Sequence, residues 1–60
     1  MTYGVIVHRG NIDVCLATCL DVEDAVYLAE YLFNAWQYDS VDVVSLSKGT
    51  ISKGTIYTTY

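Results

Sequence analysis

The fold of this chain is decided by residues 21–38, which read DVEDAVYLAEYLFNAWQY. At about 100° per residue, six apolar side chains of this stretch gather on one broad side, as in a helix that covers a hydrophobic core. Asp21 is the predicted N-cap, and the predicted helix runs from about Val22 to Gln37. The side expected to face the core consists of Val22, Ala25, Ala29, Leu32, Phe33 and Trp36.

The opposite side of the predicted helix combines aromatic and acidic residues. Three tyrosines share it with Glu23, Glu30 and an asparagine. An ordinary amphipathic helix carries solubilising charge on this side, whereas exposed tyrosines are enriched in protein interfaces. We therefore predict a partner-binding site here, and its residues are Tyr27, Glu30, Tyr31, Asn34 and Tyr38.

Strand patterns flank the helix on both sides. Residues 3–8 alternate in the manner of a strand, and Gly10 and Asn11 predict a tight two-residue turn into a second strand. Residues 41–46 are rich in β-branched side chains and residues 55–60 alternate, which predicts two further strands. The predicted fold class is α+β: residues 1–60 form a single ββαββ domain, with an antiparallel sheet and one helix packed on one face.

The predicted hairpin register assigns side chains to the two faces of the sheet. It pairs Val7 with Val14 and Val5 with Leu16, and we expect the helix to cover this face. The second face is expected to carry Gly4, Ile6, His8, Asp13, Cys15 and Ala17.

The second face also suggests an oligomer. It is partly apolar, and in the third strand Val43 and Val44 point to opposite sides. A chain of this length buries only about 60% of its unfolded surface. We therefore predict a homodimer, formed by sheet-on-sheet packing or by strand addition at a sheet edge.

A tandem repeat separates the last two predicted strands: residues 47–51 and 52–56 both read SKGTI. Either Lys-Gly pair can form the turn, and the odd period places equivalent residues on opposite faces, so the register of the last hairpin stays open. Two interpretations also stay open: a sequence duplication tolerated in a surface hairpin, or a loop that a partner orders.

Composition excludes several classes of protein. The net charge is −4, with seven acidic and three basic residues, which disfavours direct binding to nucleic acid and favours a basic protein as partner. No apolar stretch reaches the 18 residues or so of a membrane span. Cys15 and Cys19 do not form a disulfide framework and no secretory signal is evident, so we expect a cytoplasmic protein.

We expect neither catalysis nor a metal or other cofactor. His8 and Asp13 would be cross-strand neighbours with Cys15 on the same face, but nucleophilic catalysis also requires an oxyanion site and a pocket. One helix on four strands encloses little volume. Together with Cys19 these residues offer too few soft ligands, at the wrong spacing, for zinc.

The ββαββ order, the helix sequence DVEDAVYLAE at residues 21–30 and the small acidic chain resemble accessory proteins of phages and mobile elements, including anti-CRISPR inhibitors. The resemblance concerns pattern and transfers no site residue. It implies an inhibitor or adaptor that binds a host protein, which is our first functional hypothesis. The alternative is a self-assembling structural subunit or scaffold.

Overall fold

A computed structural model describes residues 2–47 and 50–59 of the chain, with side chains for residues 2–46 and 56–59. The four strands form one antiparallel sheet in the order β2-β1-β3-β4, so the two central strands are β1 and β3. The single helix lies on one face of this sheet, and the α+β, ββαββ prediction is confirmed. The elements are β1 (Thr2–Arg9), β2 (Ile12–Cys19), α1 (Val22–Trp36), β3 (Ser40–Ser47) and β4 (Thr50–Thr59).

The first hairpin follows the predicted turn but contains a β-bulge. Gly10 has a φ of 60°, as a tight turn requires, and Val7 pairs with Val14 as predicted. Val5, however, pairs with Ala17, and Leu16 is the extra residue of the bulge. The prediction that Val5 pairs with Leu16 is therefore wrong. The bulge also moves Ala17 to the helix side of the sheet, where it packs against the core.

The core lies between the helix and the two central strands. Ala25 and Ala29 are fully buried, and four valines of β1 and β3 form the sheet side of the same cluster. Alanine at both contact positions lets the helix backbone approach the sheet closely, which makes this seam sensitive to added volume. The buried valines are Val5, Val7, Val41 and Val43.

Both helix ends differ in part from the predictions. Asp21 occupies the N-cap position, but its side chain makes no capping hydrogen bond. Gln37 is the C-cap in the left-handed conformation, and its N–H donates to the carbonyl of Phe33. Trp36 was expected in the core and is exposed instead. Its carbonyl accepts a hydrogen bond from Arg9, the last residue of β1, so this end of the helix lies beside the end of β1.

The face of the sheet opposite the helix is partly covered by its own side chains. A Cβ atom on Gly4 would lie 3.2–3.4 Å from side-chain atoms of Leu46, Cys15 and Val44, so these three side chains close over the glycine. As a result Val44 is buried here, while Val43 is buried under the helix, as the predicted alternation requires.

In the last hairpin, the strand pairing ends with Ser47 opposite Thr50. The first Lys-Gly pair of the repeat, residues 48 and 49, lies outside the described residues. The second pair lies within β4.

Candidate protein-binding surface

The outer side of the helix exposes two large aromatic side chains one turn apart. Tyr27 is 74% exposed and Tyr31 is 57% exposed. Residues four apart lie on the same side of a helix, so the two rings form one continuous surface. We call the surface formed by Tyr27, Glu30, Tyr31 and Asn34 the tyrosine surface; all four residues are exposed.

The tyrosine surface carries negative charge. Glu23 and Asp24 are exposed in the first turn, Glu30 follows, and residues 22–36 contain no lysine or arginine. The hydroxyl of Tyr57, on β4, donates a hydrogen bond to Oε2 of Glu30 at 3.2 Å. This contact holds one carboxylate beside the two rings while leaving it open to solvent.

Tyr38 lies elsewhere than predicted. The helix ends at Trp36, so Tyr38 follows the C-cap and does not continue the helical side that carries the other two tyrosines. Its half-buried ring packs against the core, and the guanidinium of Arg9 lies 4.4 Å from the ring centroid. This cation–π contact gives Tyr38 an intramolecular partner. The left-handed turn at Gln37 is the physical reason for the difference, because it redirects the chain.

A second polar cluster crosses the open face of the sheet and joins side chains from all four strands. The Nδ1 of His8 lies 2.6 Å from Oδ1 of Asp13, and its Nε2 lies 2.8 Å from Oδ2 of Asp42. The hydroxyl of Thr58 donates to the other oxygen of Asp42 at 2.9 Å. We call these four residues the His8 ladder. The sequence predicted the pairing of His8 with Asp13, which the strand register confirms, but missed Asp42 and Thr58.

The geometry of the His8 ladder favours a protonated imidazole. Both ring nitrogens face carboxylate oxygens, and an imidazole donates from both nitrogens only when it carries its positive charge. The hydrogen bond with Asp13, followed by that with Asp42, raises the pKa of His8 above 6.5, against a smaller opposing effect of burial. Because the folded-state pKa is raised, the stabilisation is fully present below pH 6.5 and is lost as the pH rises through the folded-state pKa.

Cys15 does not join the His8 ladder. Its thiol donates to the carbonyl of Ala17 at 3.6 Å, and both nitrogens of His8 are directed at carboxylates. The arrangement of nucleophile and base that the sequence raised is therefore not assembled in this conformation. Among residues 2–47 and 50–59, no group of three or more histidine, cysteine, aspartate or glutamate side chains has an arrangement suited to a metal ion.

The fold and the surface define a small α+β domain with one four-stranded antiparallel sheet and one helix. The chain matches no protein-family model, no curated protein and no solved structure. In the described part of the chain, no helix has the length and apolar character needed to cross a membrane.

The prediction that the helix covers Val14 and Leu16 is wrong, and the exposure of Ile12 was not predicted. Ile12, Val14 and Leu16 of β2 are exposed because β2 is an edge strand that the helix covers incompletely. The strand order could have revealed them, but strand order depends on contacts distant in the sequence.

Proposed function

We propose that this chain is a small non-enzymatic protein-binding module that acts in the cytoplasm as an inhibitor or adaptor of a host protein. The tyrosine surface is the proposed contact site. The supporting observation is the pair of exposed rings, Tyr27 and Tyr31, one turn apart on a helix that has carboxylates and no basic residue. Exposed aromatic rings supply large contact area at a low cost in conformational entropy.

The charge of the surface indicates the chemistry of the partner. Glu23, Asp24 and Glu30 are exposed beside the rings, and the whole chain carries a net charge of −4. Charge complementarity therefore favours a basic protein surface, such as that of a nucleic-acid-handling protein, and it disfavours nucleic acid itself. Cys15 and Cys19 are both free thiols, which is compatible with a reducing compartment.

We expect the double variant Tyr27→Ala, Tyr31→Ala to fold normally and to lose its partner in affinity capture from a lysate of the source cells. Both rings are exposed, so their removal should change the free energy of unfolding little, whereas central aromatic contacts each contribute about 2 kcal/mol or more to binding. Trp36→Ala is the matched control, because it removes an exposed aromatic ring on another side of the helix. An identical set of proteins captured by the double variant and the unaltered chain would refute the proposed site.

A self-assembling structural subunit is the second candidate function, and the exposed apolar side chains of β2 favour it. Light scattering of Tyr31→Asp separates the two functions. If the tyrosine surface itself makes the self-contact, Tyr31→Asp should dissociate the assembly, whereas an unchanged mass leaves the tyrosines free for a foreign partner.

A further inference from the structure

The edge strand β2 carries one bulge, at Leu16, but otherwise lacks the features that normally prevent edge-to-edge pairing. It is hydrogen-bonded to β1 on one side only and is eight residues long. It contains no lysine and no proline, and its one charged residue, Asp13, is engaged by His8. Strands with these properties pair readily with another strand. The exposed apolar side chains of Ile12, Val14 and Leu16 lie along it.

The other edge strand, β4, is less suited to strand addition. Its pairing with β3 is interrupted by two register shifts, against one in the pairing of β2 with β1. Bulges are one of the devices by which natural proteins block an edge. Packing of two open sheet faces is also disfavoured, because it would bury the His8 ladder, and Val44 is already covered within its own chain.

We propose that a second copy of this chain pairs antiparallel with β2 and forms one continuous sheet of two chains. The twofold axis stands perpendicular to the sheet between Cys15 and Leu16, which places Ile12 opposite Cys19 and Val14 opposite Ala17 of the second copy. Opposed residues in this register must lie on the same face of the sheet, and the bulge makes this possible. Val14 pairs with Val7 and Ala17 pairs with Val5, and these two valines of β1 lie on one face. In a regular strand without a bulge, two residues three positions apart, such as Val14 and Ala17, would lie on opposite faces.

The register favours a second copy over an unrelated strand, because it places Ile12 opposite Cys19 and Val14 opposite Ala17 on the same face of the sheet. Ile12 and Val14 are exposed in the single chain. The twofold axis repeats these contacts. Asp13 faces Thr18 of the second copy. No two carboxylates are therefore directly opposed in this strand pair, which matters because opposed like charges destabilise a pair of strands.

The dimer leaves the proposed binding surface free. The helix packs on the two central strands, so the two helix axes lie about four strand spacings apart, or about 19 Å. Packed helices lie about 8–10 Å apart, and the rings of Tyr27 and Tyr31 therefore remain uncovered. A dimer would present the tyrosine surface twice on one face and strengthen binding to a partner with two sites.

Sedimentation of Leu16→Lys and Ile56→Lys tests the proposal with matched variants. Each variant places a lysine at an exposed apolar residue beside a register shift. Leu16 in β2 is 48% exposed and Ile56 in β4 is 46% exposed, so the two positions are matched. We expect the unaltered chain and Ile56→Lys to sediment as dimers at micromolar concentration, and Leu16→Lys to raise the dimer dissociation constant at least about tenfold. A one-chain mass for the unaltered protein, or dissociation by Ile56→Lys alone, would overturn the proposal.

Cross-linking tests the register without relying on a charged variant. Ile12→Cys is combined with Cys15→Ser, and the dimer is oxidised with oxidised glutathione, which accepts two electrons and two protons from a pair of thiols. Within one chain, positions 12 and 19 lie about 23 Å apart along β2, too far for a disulfide. We expect a covalent dimer that joins position 12 to Cys19 of the second copy, and none with Cys15→Ser alone. A folded variant that stays unlinked contradicts the register.

Failure of the dimer is distinguishable from failure of the proposed function. Leu16→Lys leaves the tyrosine surface intact and should still capture a partner, while the variant with both tyrosines replaced should retain its dimer mass.

Discussion

Replacement of Ala29 by leucine should lower the free energy of unfolding by about 1–3 kcal/mol. Ala29 is fully buried in the seam between the helix and the valines of β1 and β3, and a larger side chain there must push the helix from the sheet. For a small domain, a loss of this size is a large part of the total stability. Urea denaturation followed by circular dichroism measures it.

The matched control for this prediction is Ala35→Leu. Ala35 is exposed on the same helix, and surface substitutions usually change stability by no more than about 0.5 kcal/mol. Equal denaturation midpoints for the two variants would show that the seam does not have the described packing.

Asp42→Ala should cost about 1–3 kcal/mol, because it removes an acceptor of hydrogen bonds from both His8 and Thr58. Asp13→Ala should cost about 0.2–1 kcal/mol, as for an exposed ion pair. The two carboxylates bind the same imidazole but differ in side-chain exposure, at 19% for Asp42 and 66% for Asp13. Equal losses for the two variants would contradict this ranking.

The same ladder makes stability depend on pH. The raised pKa of His8 means that the folded state holds its proton more tightly than the unfolded state, so stability should fall as the pH rises from 6.5 through the folded-state pKa. The difference in unfolding free energy between the unaltered chain and His8→Gln, followed from about pH 6 to about pH 9, isolates this contribution from other titrating groups. A difference that stays constant, or grows with pH, would contradict a protonated His8.

Local patterns were sufficient to predict the elements of this fold. The helix of residues 22–36 has a clear apolar side, and Gly10 with Asn11 is a strong turn signal that sets the nearby pairing of Val7 with Val14. Pairing of His8 with Asp13 follows from the same turn. These features depend on residues close together in the sequence, which is why sequence periodicity and turn chemistry were informative.

The features that the sequence could not predict depend on distant contacts. Asp42 reaches His8 only because β3 pairs with β1, an arrangement that periodicity does not encode. The bulge at Leu16 reverses which side chains in the second half of β2 lie on which face of the sheet, and no glycine in β2 signals it. The helical angle of Trp36 puts it on the side of the helix expected to face the core. The residue lies at the end of the helix, beside the end of β1, so its helical angle alone could not reveal its exposure.

The exposure of two tyrosines of the candidate site could be predicted from helical angle, whereas the position of the third could not. Tyr27 and Tyr31 are exposed as their angles on the helix require. Tyr38 was placed by extending the helix, whereas the chain turns at Gln37 and packs the ring under Arg9. Whether the tyrosine surface binds a partner remains a prediction.

The most direct measurement for the proposed function is site-specific photo-cross-linking in the source cells. A benzophenone amino acid replaces Tyr27 in one variant and Ile56, an exposed residue of β4, in a control. We expect position 27 to yield one discrete covalent adduct with a host protein that has a basic surface, and position 56 to yield none. Absence of an adduct at position 27, or an adduct there with only a second copy of this chain, would contradict the proposal that the tyrosine surface binds a host protein.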